Sequence, residues 1–241
     1  EPYRRQRQMC IRDRKSDKKK LAEGRCLGVG SDYVGFIRAN EAKSTGTATE
    51  IYDPIADRTV DVLSMGEKYF FWIMRYRDDV KEIREQMVLN PDTVRKICEA
   101  NEFRVPIKCL TTDFLVTYKD GSSVAYSVKS DRKVLDKDTY RNPGSYEELL
   151  IRQYIEKCYW EQHGVDFRIV FSNELNTVMA QNVAACMLFY DRKYVTDTET
   201  KLKYLIAHKK IQIPMEQEIL NFAGLAEAAR DKLEELYTKG G

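Results

Sequence analysis

The chain has 241 residues, of which 43% are hydrophobic and 32% charged, and its formal net charge is +2. This balance is typical of a globular protein and excludes an intrinsically disordered chain. No apolar run reaches the roughly 18 residues that a membrane helix needs, and no secretory signal is recognisable, so we expect a cytoplasmic protein with no membrane partner.

Cysteine and histidine usage limits the kinds of metal site. The six cysteines include no C-x-x-C pair, and the only histidines are His163 and His208. We therefore expect reduced thiols rather than a disulfide framework or a zinc site. Any bound metal should have oxygen ligands, which favours Mg²⁺ or Mn²⁺.

Basic side chains are concentrated at the start of the chain. Residues 1–20 hold nine Lys or Arg and three acids, a net of +6, which leaves −4 for the rest. A basic tail on a mildly acidic body indicates nucleic acid as a ligand, with a partner supplying much of the affinity. Residues 9–14 are also what one frame of a common sequencing-adapter end would encode. We interpret residues 1–14 as such a read-through and leave them out of the fold reasoning; the alternative is a genuine basic arm.

The first half of the chain predicts an arm followed by mixed helices and strands. Residues 21–46 are rich in Gly, Ser and Thr, and no buried strand precedes their glycines, so an irregular surface arm is favoured over a phosphate-binding loop. Residues 47–53 and 58–63 form strands around a Pro-containing turn. Ser64 caps a buried helix with Glu67 at its N3 position, which fits a capping box. A strand over 80–86 and a helix opened by Asn90 follow.

The strongest local signal is a β-hairpin, with strands over 114–118 and 123–130 joined by an Asp-Gly turn. After a charged loop, residues 145–163 form an amphipathic helix and 167–171 a strand. We expect these elements to form one layered α/β domain that ends near Ser172. Beyond it the pattern is helical, with helices at about 177–191, 198–209, 215–222 and 225–237.

Three polar residues of the hairpin should lie close together. Ser127 and Lys129 are two positions apart in one strand, so they share a face. Asp113 begins the other strand, and both groups lie at the end away from the turn. The alternative without a catalytic role is a cross-strand ion pair between Asp113 and Lys129 at the surface.

A carboxylate beside a lysine, with a further acid from a helix, is typical of metal-dependent phosphodiester hydrolases. Carboxylates hold Mg²⁺, which polarises the phosphate and activates water, and the lysine positions that water or neutralises developing charge. Glu67 is the natural helical acid, although it could act only as a helix cap.

The order of motifs resembles the TnsA family of transposon endonucleases over about residues 22–172. The resemblance depends on Glu67 after Ser64, on Ile83-Arg-Glu-Gln86, on Thr112-Asp-Phe-Leu-Val116 and on Val128-Lys129. It implies a restriction-endonuclease-like, PD-(D/E)XK, fold and Mg²⁺-dependent (or Mn²⁺-dependent) cleavage of the 5′ strands at transposon ends. It further implies catalytic roles for Glu67, Asp113 and Lys129, and metal binding by Glu67, Asp113 and the Val128 carbonyl. The partners implied are transposon-end DNA, a DDE-type transposase and an AAA+ ATPase regulator in a bacterial cytoplasm.

The sequence departs from the family at two places. Ser127 stands where the family usually has Glu or Gln, and a hydroxyl is a weaker ligand than a carboxylate. The family's second domain is winged-helix-like, but residues 173–241 show no wing strands, so we expect a small, incomplete helical domain in a shortened relative or a fragment. The predicted organisation is thus a basic tail (1–21), an endonuclease domain (22–172) and a helical domain (173–241). Two alternatives remain: a stand-alone restriction-like nuclease, and a catalytically weak module that bridges transposase and ATPase.

Overall fold

The structure, a computed structural model, describes residues 17–42 and 47–239. The suspected read-through, residues 1–14, lies outside the described residues. Within the described ranges, no helix has both the length and the apolar character needed to cross a bilayer.

The strands form two separate sheets. A two-stranded antiparallel sheet pairs β1 with β2, and a four-stranded sheet has the order β3-β4-β5-β6. All its pairs are antiparallel except β5 with β6, which run parallel. The strand bounds are β1 Thr49–Asp53, β2 Arg58–Val62, β3 Val80–Val88, β4 Thr111–Tyr118, β5 Ser123–Lys129 and β6 Asp166–Phe171.

Two helices begin at the caps that the sequence predicted. Ser64 accepts a hydrogen bond from the Glu67 N–H, and Asn90 accepts from the two N–H groups that follow its proline. After a helical segment over residues 17–22, the helices are α1 Met65–Arg75, α2 Pro91–Ala100, α3 Pro143–Gln162, α4 Thr177–Met187, α5 Thr198–Ala207, α6 Phe222–Ala228 and α7 Arg230–Lys239.

The larger sheet is covered by helices on both faces, which confirms the mixed α/β class. Side chains alternate along β4: Phe114 and Val116 pack into the cluster that holds α1, whereas Leu115 packs with α2 and α3. This alternation is what the pleat of a strand buried on both faces requires. Helix α3 makes the crossover that a parallel β5–β6 pair needs.

The arm before β1 is irregular, as predicted, but it is not simply a surface segment. Tyr33 and Phe36 are only 2% and 1% exposed. Arg25, also buried, forms a two-pronged ion pair with Glu41 and donates to the carbonyl of Phe36. The sequence predicted the lack of regular structure but not the burial, to which hydrogen bonds from Tyr33 and Phe36 to the backbone of β3 contribute.

The helix predicted over residues 215–222 is wrong, because a buried side chain supplies the backbone partners of this segment. The amide of Asn182, on α4, donates to the carbonyls of Met215 and Glu218 and accepts from the N–H of Leu220. A helix begins only at Phe222, and the helix predicted over residues 225–237 is divided in two around Ala229.

The helices after residue 172 share a core with the sheet. Phe71 and Met74 of α1 belong to the same buried cluster as Val183 of α4 and Leu205 of α5. Among the described residues after Phe171 there are only helices and irregular segments. The boundary at 172/173 and an incomplete winged-helix unit stay predictions.

Candidate active site

Glu67 lies in the first turn of α1 and is 6% exposed. Its carboxylate accepts hydrogen bonds from the Leu63 N–H (2.9 Å), the Ser64 hydroxyl (3.0 Å) and the Gln86 amide (3.3 Å). Burial, and then the negative charge of Asp113, raise the pKa of Glu67 to about 7 against the opposing effect of these bonds. The Glu67 carboxylate is therefore fixed in its orientation, and its pKa depends on the charge of Asp113.

Asp113 lies where the ladder between β4 and β5 ends. The paired residues begin with Phe114 opposite Tyr126. One step outside, the Asp113 carboxylate accepts from the Val128 N–H at 2.7 Å and from the Ser127 hydroxyl at 3.4 Å. The carboxylate therefore takes the place of a backbone partner and is fixed to β5.

Lys129 completes the cluster at the end of β5. Its Nζ lies 3.8 Å from Asp113 Oδ2, donates to the Ser127 hydroxyl at 2.6 Å and lies 3.4 Å from the Val128 carbonyl. The Lys129 side chain is 18% exposed and that of Asp113 15%, so both can reach a ligand. The structure thus brings together the hairpin residues that sequence spacing placed side by side, with Glu67 near enough to be affected by the charge of Asp113.

Glu156 on α3 was missed by the sequence analysis. Its side chain is 1% exposed, accepts from the Thr112 hydroxyl at 3.2 Å and pairs with Arg152 at 3.1 Å. Burial, assisted by the charge of Asp113, raises the pKa of Glu156 to about 7, although Arg152 and Lys129 oppose the shift. The available signal was an acid inside the apolar stripe of α3, between Ile155 and Tyr159.

The donors around Asp113 are oxygens of the kind that Mg²⁺ and Mn²⁺ bind. In the described part of the chain, no group of three or more His, Cys, Asp or Glu side chains could hold a metal ion. The available donors are two carboxylates, from Glu67 and Asp113, with the Val128 carbonyl and the Ser127 hydroxyl. A cation held by Glu67 and Asp113 would offset the repulsion between them, which adds to burial in raising the pKa of Glu67. Because Mg²⁺ keeps several of its waters, this donor set fits it.

A carboxylate–lysine cluster where two central strands of a helix-covered sheet end is typical of phosphodiester-cleaving enzymes. Residues 77–172 match the family model of the TnsA-like endonuclease N terminal domain. Over 170 residues the sequence is 28% identical to the Transposon Tn7 transposition protein TnsA of Escherichia coli, an alignment that covers 68% of this chain and 59% of that protein. Both matches bear out the resemblance to the TnsA family that the motifs predicted. The matched range includes Asp113, Val128 and Lys129, while Glu67 precedes it.

Proposed function

We propose that this chain is the endonuclease subunit of a heteromeric transposase and that it cleaves the 5′ strands of DNA at transposon ends. The observation that carries the proposal is the cluster of Asp113, Ser127 and Lys129 where the pairing of β4 with β5 ends, inside the range that matches the family model. The restriction-endonuclease-like core belongs to the same proposal. It is supported by a mixed sheet with helices on both faces and polar residues where two central strands stop pairing.

In this proposal Glu67, Asp113 and the Val128 carbonyl hold Mg²⁺ or Mn²⁺. The ion would supply Lewis-acid polarisation of the scissile phosphate and an activated water. Lys129, fixed by the Ser127 hydroxyl, places a positive charge beside Asp113, where negative charge develops on phosphorus. Cleavage should stop in excess chelator and be inhibited by Ca²⁺, which tolerates looser geometry.

The proposed partners are transposon-end DNA, a DDE-type transposase that cuts and joins the 3′ strands, and an AAA+ ATPase regulator. The chain spans less than two thirds of the length of the relative that it matches. Partner dependence therefore needs a direct test: the purified chain is mixed with transposon-end DNA and Mg²⁺, with and without the transposase. Cleavage only with the transposase supports the proposal, whereas cleavage by the chain alone would show a stand-alone nuclease.

Lys129→Ala tests the assignment of the site. Without the lysine, the Asp113 carboxylate still accepts from the Val128 N–H and the Ser127 hydroxyl, so the variant should fold and bind its partner. The reaction should change product rather than stop, giving 3′ ends joined to target while the 5′ ends stay attached to the donor. Lys157→Ala, which removes an exposed lysine paired with Glu161 on α3, is the matched control and should give cut 5′ ends.

Mapping the strand ends distinguishes the remaining outcomes. Cut 5′ ends with Lys129→Ala would contradict the assignment of the lysine. A bridging module without its own chemistry, which the Ser127 replacement favours, predicts the same products from Lys129→Ala and wild type.

A further inference from the structure

Gln86, in β3, holds its side-chain amide between two groups of the candidate site. It is 2% exposed. The Thr111 hydroxyl donates to its Oε1 at 3.2 Å, and its Nε2 donates to Glu67 Oε2 at 3.3 Å. Because Thr111 occupies the carbonyl end of the amide, the NH₂ end is turned toward Glu67. The amide is therefore oriented, not merely buried.

The backbone of Gln86 has a conformation that residues other than glycine seldom adopt. Its φ is +47°, in the left-handed region. The arm fixes this residue from outside: the Gln86 carbonyl accepts from the Phe36 N–H at 3.1 Å and from the Cys26 thiol at 3.5 Å. The preceding carbonyl, of Glu85, accepts from the Tyr33 hydroxyl at 2.6 Å.

The arm also packs tightly against β3 at Gly35. A Cβ at Gly35 would lie 3.1 Å from the Glu85 carbonyl oxygen and 3.4 Å from the Gln86 Cβ. The contact that places Gln86 is thus a close backbone packing, and it connects the arm to Glu67 through one side chain.

We propose that Gln86 is a positioning residue for Glu67, and that the arm over Tyr33–Phe36 keeps it in place. The proposal rests on the proposed function, in which Glu67 holds the metal. Glu67 Oε2 has its hydrogen bonds from Leu63 and Gln86, so the orientation of the carboxylate depends on the amide. Removing a group that orients a ligand typically lowers metal affinity by about 10–100-fold.

The first test is Mn²⁺ binding by calorimetry on the full chain, which needs no activity. Gln86→Met, which keeps the length but removes the amide, should weaken binding by about 10–100-fold. Thr111→Val should weaken Mn²⁺ binding less, because the amide remains but loses its orientation. Thr111→Ser, which keeps the hydroxyl, should retain the wild-type affinity. Gly35→Ala should act in the same direction by displacing the arm.

Glu85→Gln is the matched control. It changes the neighbouring buried residue of β3, whose carboxylate pairs with Arg58 rather than with Glu67. It should lower the Tm while leaving the Mn²⁺ affinity within about twofold. Wild-type affinity in folded Gln86→Met, or an equal loss of affinity in Glu85→Gln, would overturn the positioning role.

A second test measures the Gln86–Glu67 contact in the absence of metal. In a double-variant cycle, Gln86→Met should lower the Tm less in a Glu67→Ala background than in wild type, because the partner of the amide is already gone. Additive losses would overturn the proposal. If wild type binds no Mn²⁺ while the cycle shows coupling, the metal-dependent function fails but the positioning of Glu67 by Gln86 is upheld.

Discussion

The Asp113 carboxylate makes two kinds of contact. It accepts the hydrogen bond of the Val128 N–H, which a backbone carbonyl would otherwise accept, and it lies beside the Lys129 ammonium. Asp113→Asn keeps an oxygen acceptor for the Val128 N–H but removes the charge, whereas Asp113→Ala removes both. We expect both variants to lose Mn²⁺ binding and 5′ cleavage. Only Asp113→Ala should also lose stability, by about 1–3 kcal/mol, the cost of an unsatisfied donor. Calorimetry and denaturant unfolding separate the two effects, and unchanged metal affinity in either variant would exclude Asp113 as a ligand.

The pKa of Glu156, raised to about 7 from its usual 4.5, makes stability depend on pH. The folded protein keeps this proton to higher pH than the unfolded chain does. The contribution to stability is therefore fully present below about pH 4.5 and is lost as the pH rises toward 7. Glu156→Gln carries no such titration. Relative to wild type, its free energy of unfolding should rise between pH 4.5 and 8, by up to about 3 kcal/mol. Urea unfolding of the metal-free proteins measures this, and parallel pH curves would show that Glu156 is ionised in the fold.

At the scale of elements, the first turn of α1 is pressed against the ends of β5 and β6. A Cβ at Gly66 would lie 2.6 Å from the Ser172 Cβ and 3.4 Å from a methyl group of Val128. Only glycine lets the helix approach this closely, and the next residue is Glu67. The packing of one helix end therefore determines where a candidate ligand lies.

Gly66→Ala tests this close approach by the sign of its effect. In an open helix the change would stabilise by about 1 kcal/mol. Here the clash should reverse the sign and destabilise by about 1–3 kcal/mol, as overpacking does, with a loss of cleavage. Ser172→Gly removes the atoms that the new methyl group would meet, so the double variant should recover stability. Denaturant unfolding gives the sign, and a single variant more stable than wild type would contradict the close packing.

At the scale of the whole molecule, the chain after residue 172 covers the outer side of α1. The Tyr76 hydroxyl, just after α1, bonds to the carbonyl of Ile206, and Lys209 donates to the carbonyl of Tyr76 at 2.7 Å. Phe71 is fully buried in the cluster shared with α4 and α5. The helices that the sequence assigned to a second unit are thus part of the support of Glu67.

Truncation after residue 172 should therefore fail to give a well-packed nuclease domain. Phe71 and its neighbours would be exposed as an apolar patch, which favours aggregation. We expect residues 1–172 alone to be insoluble or to bind a hydrophobic dye strongly, with a lower Tm than the full chain. Light scattering and dye fluorescence measure this. A soluble, cooperatively unfolding fragment would support the predicted domain boundary and contradict the shared core.

The sequence by itself determined the elements whose signals are local. The caps at Ser64 and Asn90 and the hairpin around Gly121 depend on neighbours a few residues away, so the motifs predicted them within a few residues. The hairpin also brought Asp113, Ser127 and Lys129 together, because period-two alternation and one turn define their relative positions.

Only the tertiary structure decided the features whose partners are distant in the chain. Asn182 prevents a helix at residues 215–220 because it satisfies that backbone from another helix. Gln86 and Glu156 became part of the site because β3 and α3 pack beside β4, and the arm is buried because its hydrogen bonds go to β3. Propensity and periodicity report the interactions of a residue with its near neighbours, whereas these contacts arise from packing between elements, which a single sequence does not display.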